Sequence, residues 1–297
     1  MPAVGELRQP RGTAFTIRDP LPWSDAGRIA TEGERLGYGA LFLPETGARD
    51  TLATLTGLAG ETDRLLLGTG VIPMGARTSR LAAMASATVQ ERSGGRHVLG
   101  IGTGGAAPGA LGRLRTYVEE IRALVGGRAP GAALRLPLSA PVPIWIAALG
   151  PKAVRLAGDI ADGVILNWCT PDRVAEARDA IRVAAEEAGR DPGAVTIAVY
   201  VRASFSDRAG EALLEAATEY ASYPAYVRQF EAMGVEPSPD AVVEAVCLQG
   251  DPDRARGRLE TYREAGADLP VVYPVLARGE GAGASVKTLD ALAPEVA

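Results

Sequence analysis

The sequence predicts an eight-fold βα barrel, (β/α)8 or TIM-type, and three observations carry that expectation. Eight short apolar runs recur along the 297 residues, and most are followed by a stretch with helical spacing. The runs are apolar throughout, as parallel strands covered by helices are. Right-handed crossovers repeated along a chain of this length close into a barrel. An open doubly wound sheet is the alternative, disfavoured because no single GxGxxG turn follows the first strand. One domain is expected over 1–297, with a core at about 13–276 and a C-terminal helix or tail at 277–297.

The first strand is a β-rich run at 13–17, stopped by Pro20-Leu21-Pro22-Trp23. Ser24-Asp25 can cap a helix that reaches Gly37. Residues 40–43 make a second strand that delivers Pro44-Glu45-Thr46, and a short helix covers 51–59. The stretch 65–105 is a βαβ unit around which the rest is arranged. Leu65-Leu66-Leu67 leads into Gly68-Thr69-Gly70-Val71, and Val98-Leu99-Gly100-Ile101 leads into Gly102-Thr103-Gly104-Gly105. Between them an alanine-rich helix at 78–93 ends at Gly94-Gly95, where a left-handed C-cap is cheap. Both glycine turns fall at the same ends of neighbouring parallel strands, where barrels bind ligands.

A helix at 109–125 sets Leu111, Leu114, Val118, Ile121 and Val125 on one side. The Gly-, Pro- and Ala-rich loop at 126–137 is a candidate lid. The fifth strand, 142–148, ends in Leu149-Gly150-Pro151 and a helix at 152–159. The sixth, 163–166, delivers Asn167 and Trp168 ahead of an amphipathic helix at 171–189. The seventh is 195–203. Alternation then loosens: two helices lie within 207–233 around Tyr220, Tyr223, Pro224 and Tyr226, and the chain restarts at Pro237-Ser238-Pro239-Asp240. These are extra helices between strands seven and eight. A helix from Asp251-Pro252 to Ala265 precedes the eighth strand at 269–275.

Composition narrows the chemistry. Hydrophobic residues make up 47%, enough for a large core, and the net charge is −5. With no run of Lys or Arg, neither nucleic acid nor an anionic membrane surface is an expected partner. No apolar run approaches the ~20 residues that cross a bilayer. The start, MPAVGELRQPRG, lacks the apolar core of a signal peptide, so a soluble cytoplasmic protein is expected. Cys169 and Cys247 read as buried free thiols. With His97 the sole histidine, metal sites built from several His and Cys are excluded, as is a Ser-His-Asp relay unless His97 serves it. His97 reads as structural. A cofactor that carries the hard chemistry suits this inventory.

Several turns carry candidate site residues. Ala147-Ala148-Leu149-Gly150-Pro151-Lys152 runs from strand to helix, and free first-turn N–H groups make an anion site fit for a phosphate. An ordinary βα turn is the other reading. Thr103 and Gly104 sit in a second donor-rich turn. The glycines around Thr69, Gly70 and Val71 fit either close approach of a flat ring or tight packing. Glu45 is an acid at the barrel mouth or a salt-bridged carboxylate. Asn167 and Trp168 are placed to line the same mouth, with core packing the alternative for the tryptophan.

As a set, LGYGALFLPE (36–45), RLLLGTGV (64–71), SGGRHVLGIGTG (93–104), IAALGPKAVRLAGDIADGVIL (146–166) and AGADLPVV (265–272) resemble the bacterial luciferase-like family of flavin- and deazaflavin-dependent oxidoreductases. The resemblance spans roughly 15–275. RLGYGALFLPETGARD, SYPAYVRQF and AVCLQGDPDRARGRLETYREAGAD look most like an actinobacterial subgroup expected to use coenzyme F420.

The resemblance implies a ring-bearing cofactor at the C-terminal mouth, backed by a non-proline cis peptide within Thr69-Gly70-Val71. It implies a phosphate or ribityl site at Ala147, Ala148, Leu149 and Gly150, with Thr103 and Gly104 close by. Glu45 and Asn167 complete the expected cofactor set, and Glu45 and Trp168 are the weak catalytic candidates. Two departures stand out. Glu45-Thr46 occupies the place where several deazaflavin relatives carry Asp-His, and Gly105 the place of a catalytic Glu in sugar-phosphate dehydrogenases of the family. Their loss argues against alcohol or sugar oxidation with general-base help and leaves hydride transfer to an activated C=C, C=N or similar acceptor. The expected activity is F420-dependent hydride transfer with a small organic substrate. An FMN-dependent monooxygenase or reductase, or a non-catalytic cofactor-binding barrel, is the alternative. The family's habit implies a homodimer.

Overall fold

Each apolar run forms a strand, and each strand finds its sequence neighbours. In the computed structural model, which describes residues 12–17, 21–105, 107–127, 134–136, 138 and 140–294, eight parallel strands close a barrel. They are β1 (Ala14–Thr16), β2 (Ala40–Leu43), β3 (Leu66–Thr69) and β4 (His97–Gly102), then β5 (Ile144–Ala147), β6 (Gly163–Asn167), β7 (Thr196–Ala203) and β8 (Leu269–Pro274). Closure is made by β8, which pairs with β7 from Leu269 opposite Ala198 to Pro274 opposite Ala203, and with β1 through Ala14 opposite Val271. Two-residue strands extend the rim: Ile72–Pro73 beside Ile101 and Gly102, and Cys247–Leu248 beside Arg202 and Ala203.

The helices are α1 (Trp23–Arg35), α2 (Thr51–Leu58), α3 (Ser79–Arg92), α4 (Ala110–Val125), α5 (Pro151–Ile160) and α6 (Pro171–Glu187). Then come α7 (Ala209–Ala221), α8 (Pro224–Ala232), α9 (Pro239–Val246), α10 (Pro252–Glu264) and α11 (Ala282–Ala291). Their ends follow local chemistry. The Thr78, Thr170 and Asp251 side chains accept from the third residue on, as N-caps do. Gly94 and Gly95 stop α3 at φ 67° and 95°. The terminal helix α11 packs against α1, where the Tyr38 hydroxyl donates to the Leu289 carbonyl at 2.9 Å.

Side chains divide by strand parity. Leu41, Leu67, Leu99, Ile146 and Val199 point outward to the helices, while Ala40, Phe42, Leu66, Val98, Trp145, Ala198 and Tyr200 fill the barrel. Three rings occupy that interior, with Phe42 5.5 Å from Trp145 and 6.4 Å from Tyr200 between centroids. Glycines make room for them: a Cβ on Gly163 would fall 2.6 Å from the Trp145 ring. A third cluster, under α7, α8 and α9, holds Trp168, Leu213, Phe230, Val242 and Cys247. The predicted extra helices are therefore a cap beside the C-terminal mouth.

The expected lid at 126–137 is corrected by topology. A helix-to-strand connection returns to the N-terminal face of a βα barrel. Gly126 and Ala140–Pro143 accordingly line a cavity of about 230 Å³ with Gly95, His97 and Trp145, beneath the floor and away from the mouth. Residues 128–133 and 137 of that loop lie outside the described residues. Among the described residues, no helix is long and apolar enough to cross a membrane, and no group of three or more His, Cys, Asp or Glu could hold a metal ion.

Candidate active site

The C-terminal ends of β3, β4, β5 and β6 open onto one cavity of about 640 Å³. Gly70, Val71, Thr103, Gly104, Ala147, Ala148, Leu149, Gly150 and Asn167 all line it, so nine of the sequence-selected residues converge. Its floor is apolar, made by Val71, Ile165 and the Tyr200 ring. The Gly70–Val71 peptide is cis, as the resemblance implies. That turn is held from both sides. The Gly70 N–H donates to the Leu43 carbonyl at 2.7 Å, the Glu45 N–H donates to the Val71 carbonyl at 3.3 Å, and the Tyr200 hydroxyl donates to the Gly70 carbonyl at 3.1 Å. No side chain fits at residue 70, because a Cβ would lie 1.6 Å from that hydroxyl oxygen.

One wall is the start of α5. Its N-cap, Gly150, carries no side-chain cap; Pro151 has no N–H and the Ala153 N–H bonds the Gly150 carbonyl at 3.0 Å, so the Lys152 N–H is the free first-turn donor at the positive end of the helix. A Cβ on Gly150 would meet nothing within 4 Å. Arg173 and Arg228 line the same cavity. Arg173 is steadied by Glu176 at 2.8 Å and reaches the Leu149 carbonyl at 3.4 Å. Two guanidinium groups and a helix N-terminus suit an anion, and no carboxylate is among the described residues that line the cavity.

Three sequence-selected residues lie elsewhere. Thr69 is fully buried, its hydroxyl donating to the Gly100 carbonyl at 2.7 Å and accepting from the Gly100 N–H at 2.8 Å, which ties β3 to β4. Glu45 is not among the residues that line the cavity. Its carboxylate pairs with Arg77 and accepts from the Thr51 N–H at 3.3 Å, and its own N–H supports the Val71 carbonyl behind the turn. Trp168 is 1% exposed and sits in the core under the extra helices, with φ 52°, against Tyr220 and Phe230. That placement sets aside Glu45 and Trp168 as groups facing the cavity.

The opposite wall joins Asn167 to Tyr226 and Gln229, which carry no site signal in the sequence, with Arg202 buried beside them. Asn167 accepts from Arg202 through Oδ1 and donates from Nδ2 to the Tyr226 oxygen at 2.8 Å. Gln229 donates to the carbonyls of Asn167 and Trp168 at 2.7 and 2.6 Å, fixing the backbone that presents this amide. Arg202 is 3% exposed, and the rings of Trp168, Tyr273 and Tyr220 lie 4.2, 4.7 and 5.0 Å from its guanidinium carbon. Burial pushes the Tyr226 phenol up to about 12. The signal for Arg202 was legible: in TIAVYVRA it shares parity with the inward Ala198 and Tyr200.

Residues 6–269 match the family model for luciferase-like monooxygenases. The chain belongs to that family. A 5,10-methylenetetrahydromethanopterin reductase of Methanolobus tindarius is 32% identical over 263 residues, covering 81% of this chain and 79% of the relative. The coenzyme F420-dependent tetrahydromethanopterin reductase of Methanopyrus kandleri superposes with a TM-score of 0.76 at 18% identity, over 94% of this chain and 97% of that one. An F420-dependent secondary alcohol dehydrogenase, solved with an F420–acetone adduct, gives 0.79 at 18% identity, over 95% and 99%. At such identity the two structures establish the shared luciferase-like barrel.

His97 and the cysteines behave as expected of structural residues. His97 is buried, its Nδ1 lies 2.8 Å from the Leu67 carbonyl, and burial pushes it down to about 4. Cys169 and Cys247 are free and buried, and burial pushes both thiols up to about 12.

Proposed function

We propose that this luciferase-like oxidoreductase uses coenzyme F420 for hydride transfer with a small organic substrate at the C-terminal mouth. The observation that carries the reading is the pairing within one cavity of an apolar bed and an anion-binding wall. Val71, Ile165 and Tyr200 suit the face of a flat ring, and the α5 N-terminus with Arg173 and Arg228 suits a phosphate-bearing tail. About 640 Å³ is within the range of cofactor pockets. The reductase and dehydrogenase likenesses support the deazaflavin. When bound, it would supply the two-electron hydride chemistry, and the protein's residues would orient ring and substrate and keep water out.

A parallel titration of the purified protein with F420 and with FMN, read by intrinsic and cofactor fluorescence, tests this. Micromolar or tighter F420 binding with no FMN binding is expected. FMN binding alone overturns the deazaflavin assignment and makes oxygen consumption the next assay. Binding of neither by a folded protein points to a non-catalytic barrel.

A further inference from the structure

We infer that the Tyr226 hydroxyl is the proton donor to a carbonyl substrate, held in place by a relay that runs from Arg202 through Asn167. The inference rests on the proposed hydride chemistry and adds a catalytic residue and a substrate class. It begins from elimination along the cavity wall. Among the described residues no carboxylate, imidazole or thiol lines the cavity, and the proton-bearing side chains that do are Thr103, Asn167, Arg173, Tyr200, Tyr226, Arg228 and Gln229. The guanidinium groups are too weakly acidic to give up a proton, and amides and aliphatic alcohols are weaker acids than phenols. The Tyr200 hydroxyl is committed to the Gly70 carbonyl. Tyr226 is the phenol that remains. Its oxygen accepts from Asn167, and among the described residues its own proton has no acceptor.

The relay gives that proton its character. A buried guanidinium with no carboxylate partner among the described ion pairs donates to Asn167 Oδ1. Charge drawn from the amide strengthens Nδ2 as a donor to the phenol oxygen, and bonds in such chains reinforce one another. The three rings around Arg202 keep the cation dry and in place. The Gln229 bonds at 2.7 and 2.6 Å lock the Asn167–Trp168 backbone so that the amide cannot turn away.

The chemistry balances. With a reduced deazaflavin bound, the carbonyl carbon would receive its hydride, the donor's C–H bond breaking as the new C–H bond forms, and the π pair would move to oxygen. That oxygen takes the Tyr226 proton, forming the O–H of an alcohol. The carbonyl compound is reduced, the deazaflavin is oxidised, and the phenolate is reprotonated from solvent. An alkoxide is more basic than a phenolate, so the proton runs downhill even from a phenol pushed up to about 12. The expectation of C=C or C=N acceptors changes accordingly, because a proton donor is in place for C=O.

The test has two parts. In apoprotein labelled with ¹³C at the tyrosine Cζ atoms, the resonance missing from Tyr226→Phe identifies Tyr226, and Asn167→Ala is expected to move that resonance. In single turnovers of reduced F420 with a panel of ketones and aldehydes, Tyr226→Phe should bind the cofactor as the wild type does and pass hydride about 100-fold more slowly. The inference is overturned by an unmoved resonance, by Tyr226→Phe rates within about threefold of wild type, or by a wild type that reduces no carbonyl in the panel. Failure of the wild type to bind F420 overturns the underlying cofactor assignment instead.

Discussion

A single imidazole shows how burial becomes a pH dependence. His97 has no access to water, and desolvation pushes its pKa from 6.5 down to about 4 despite the bond to the Leu67 carbonyl. The unfolded chain therefore takes up a proton first. Its contribution is fully present above about pH 6.5 and is lost as pH falls toward about 4, with roughly 3 kcal/mol at stake. Asparagine can keep the donor to Leu67 without titrating. Urea midpoints of wild type and His97→Asn are expected to diverge above pH 6.5 only by a constant, and to converge as pH falls. Parallel curves down to pH 4.5 would mean that the His97 ring is solvated and titrates alike in the folded and unfolded chain. The same scale shows where sequence reading falls short. Glu45 stands at a strand end, which is all the sequence shows of it, and only three-dimensional packing brings Arg77 to it across 32 positions. Tyr226 sits on a helix outside the barrel alternation, so nothing local marks it as facing Asn167, 59 residues earlier.

Elements were more legible than side chains, because periodicity and capping are local. Thr78 and Gly94 bracket α3, and Pro171 and Pro252 open α6 and α10, all from signals within a few residues. The loop at 126–137 misled because composition says nothing about which barrel face a connection crosses, whereas strand-to-helix order does. One element supports a sharp prediction. Gly150 has φ −95° and ψ 166°, open to any residue, and a Cβ there meets nothing within 4 Å. In Gly150→Asp the carboxylate can cap α5, which should hold or raise stability by up to about 1 kcal/mol. The same carboxylate competes with an incoming phosphate for the Lys152 N–H and repels it at the positive end of the helix. F420 affinity is therefore expected to fall about tenfold or more while the thermal midpoint does not fall. Unchanged affinity in this folded variant would move the phosphate away from α5.

At the scale of the molecule, the barrel is one cooperative object, because its last strand completes its first. β8 bonds to β7 along its length and to β1 at Ala14 and Phe15, and contributes Leu269 and Val271 to the interior. The sequence showed eight strands, and the handedness rule allowed closure, but the seam depends on register between segments some 250 residues apart in the chain, Ala14 and Val271. Ending the chain at residue 268 removes that seam and leaves β1 and β7 with open edges. Ending it at residue 280 keeps the seam and removes α11, losing the burial of Leu289 and its carbonyl bond to Tyr38. The shorter chain is expected to lose its near-ultraviolet dichroism and its cooperative urea transition. The longer should keep a single transition lowered by roughly 4 kcal/mol. Cooperative unfolding of the 268-residue chain would show that seven strands hold the barrel without closure, and the mouth would then owe its shape to the individual βα units.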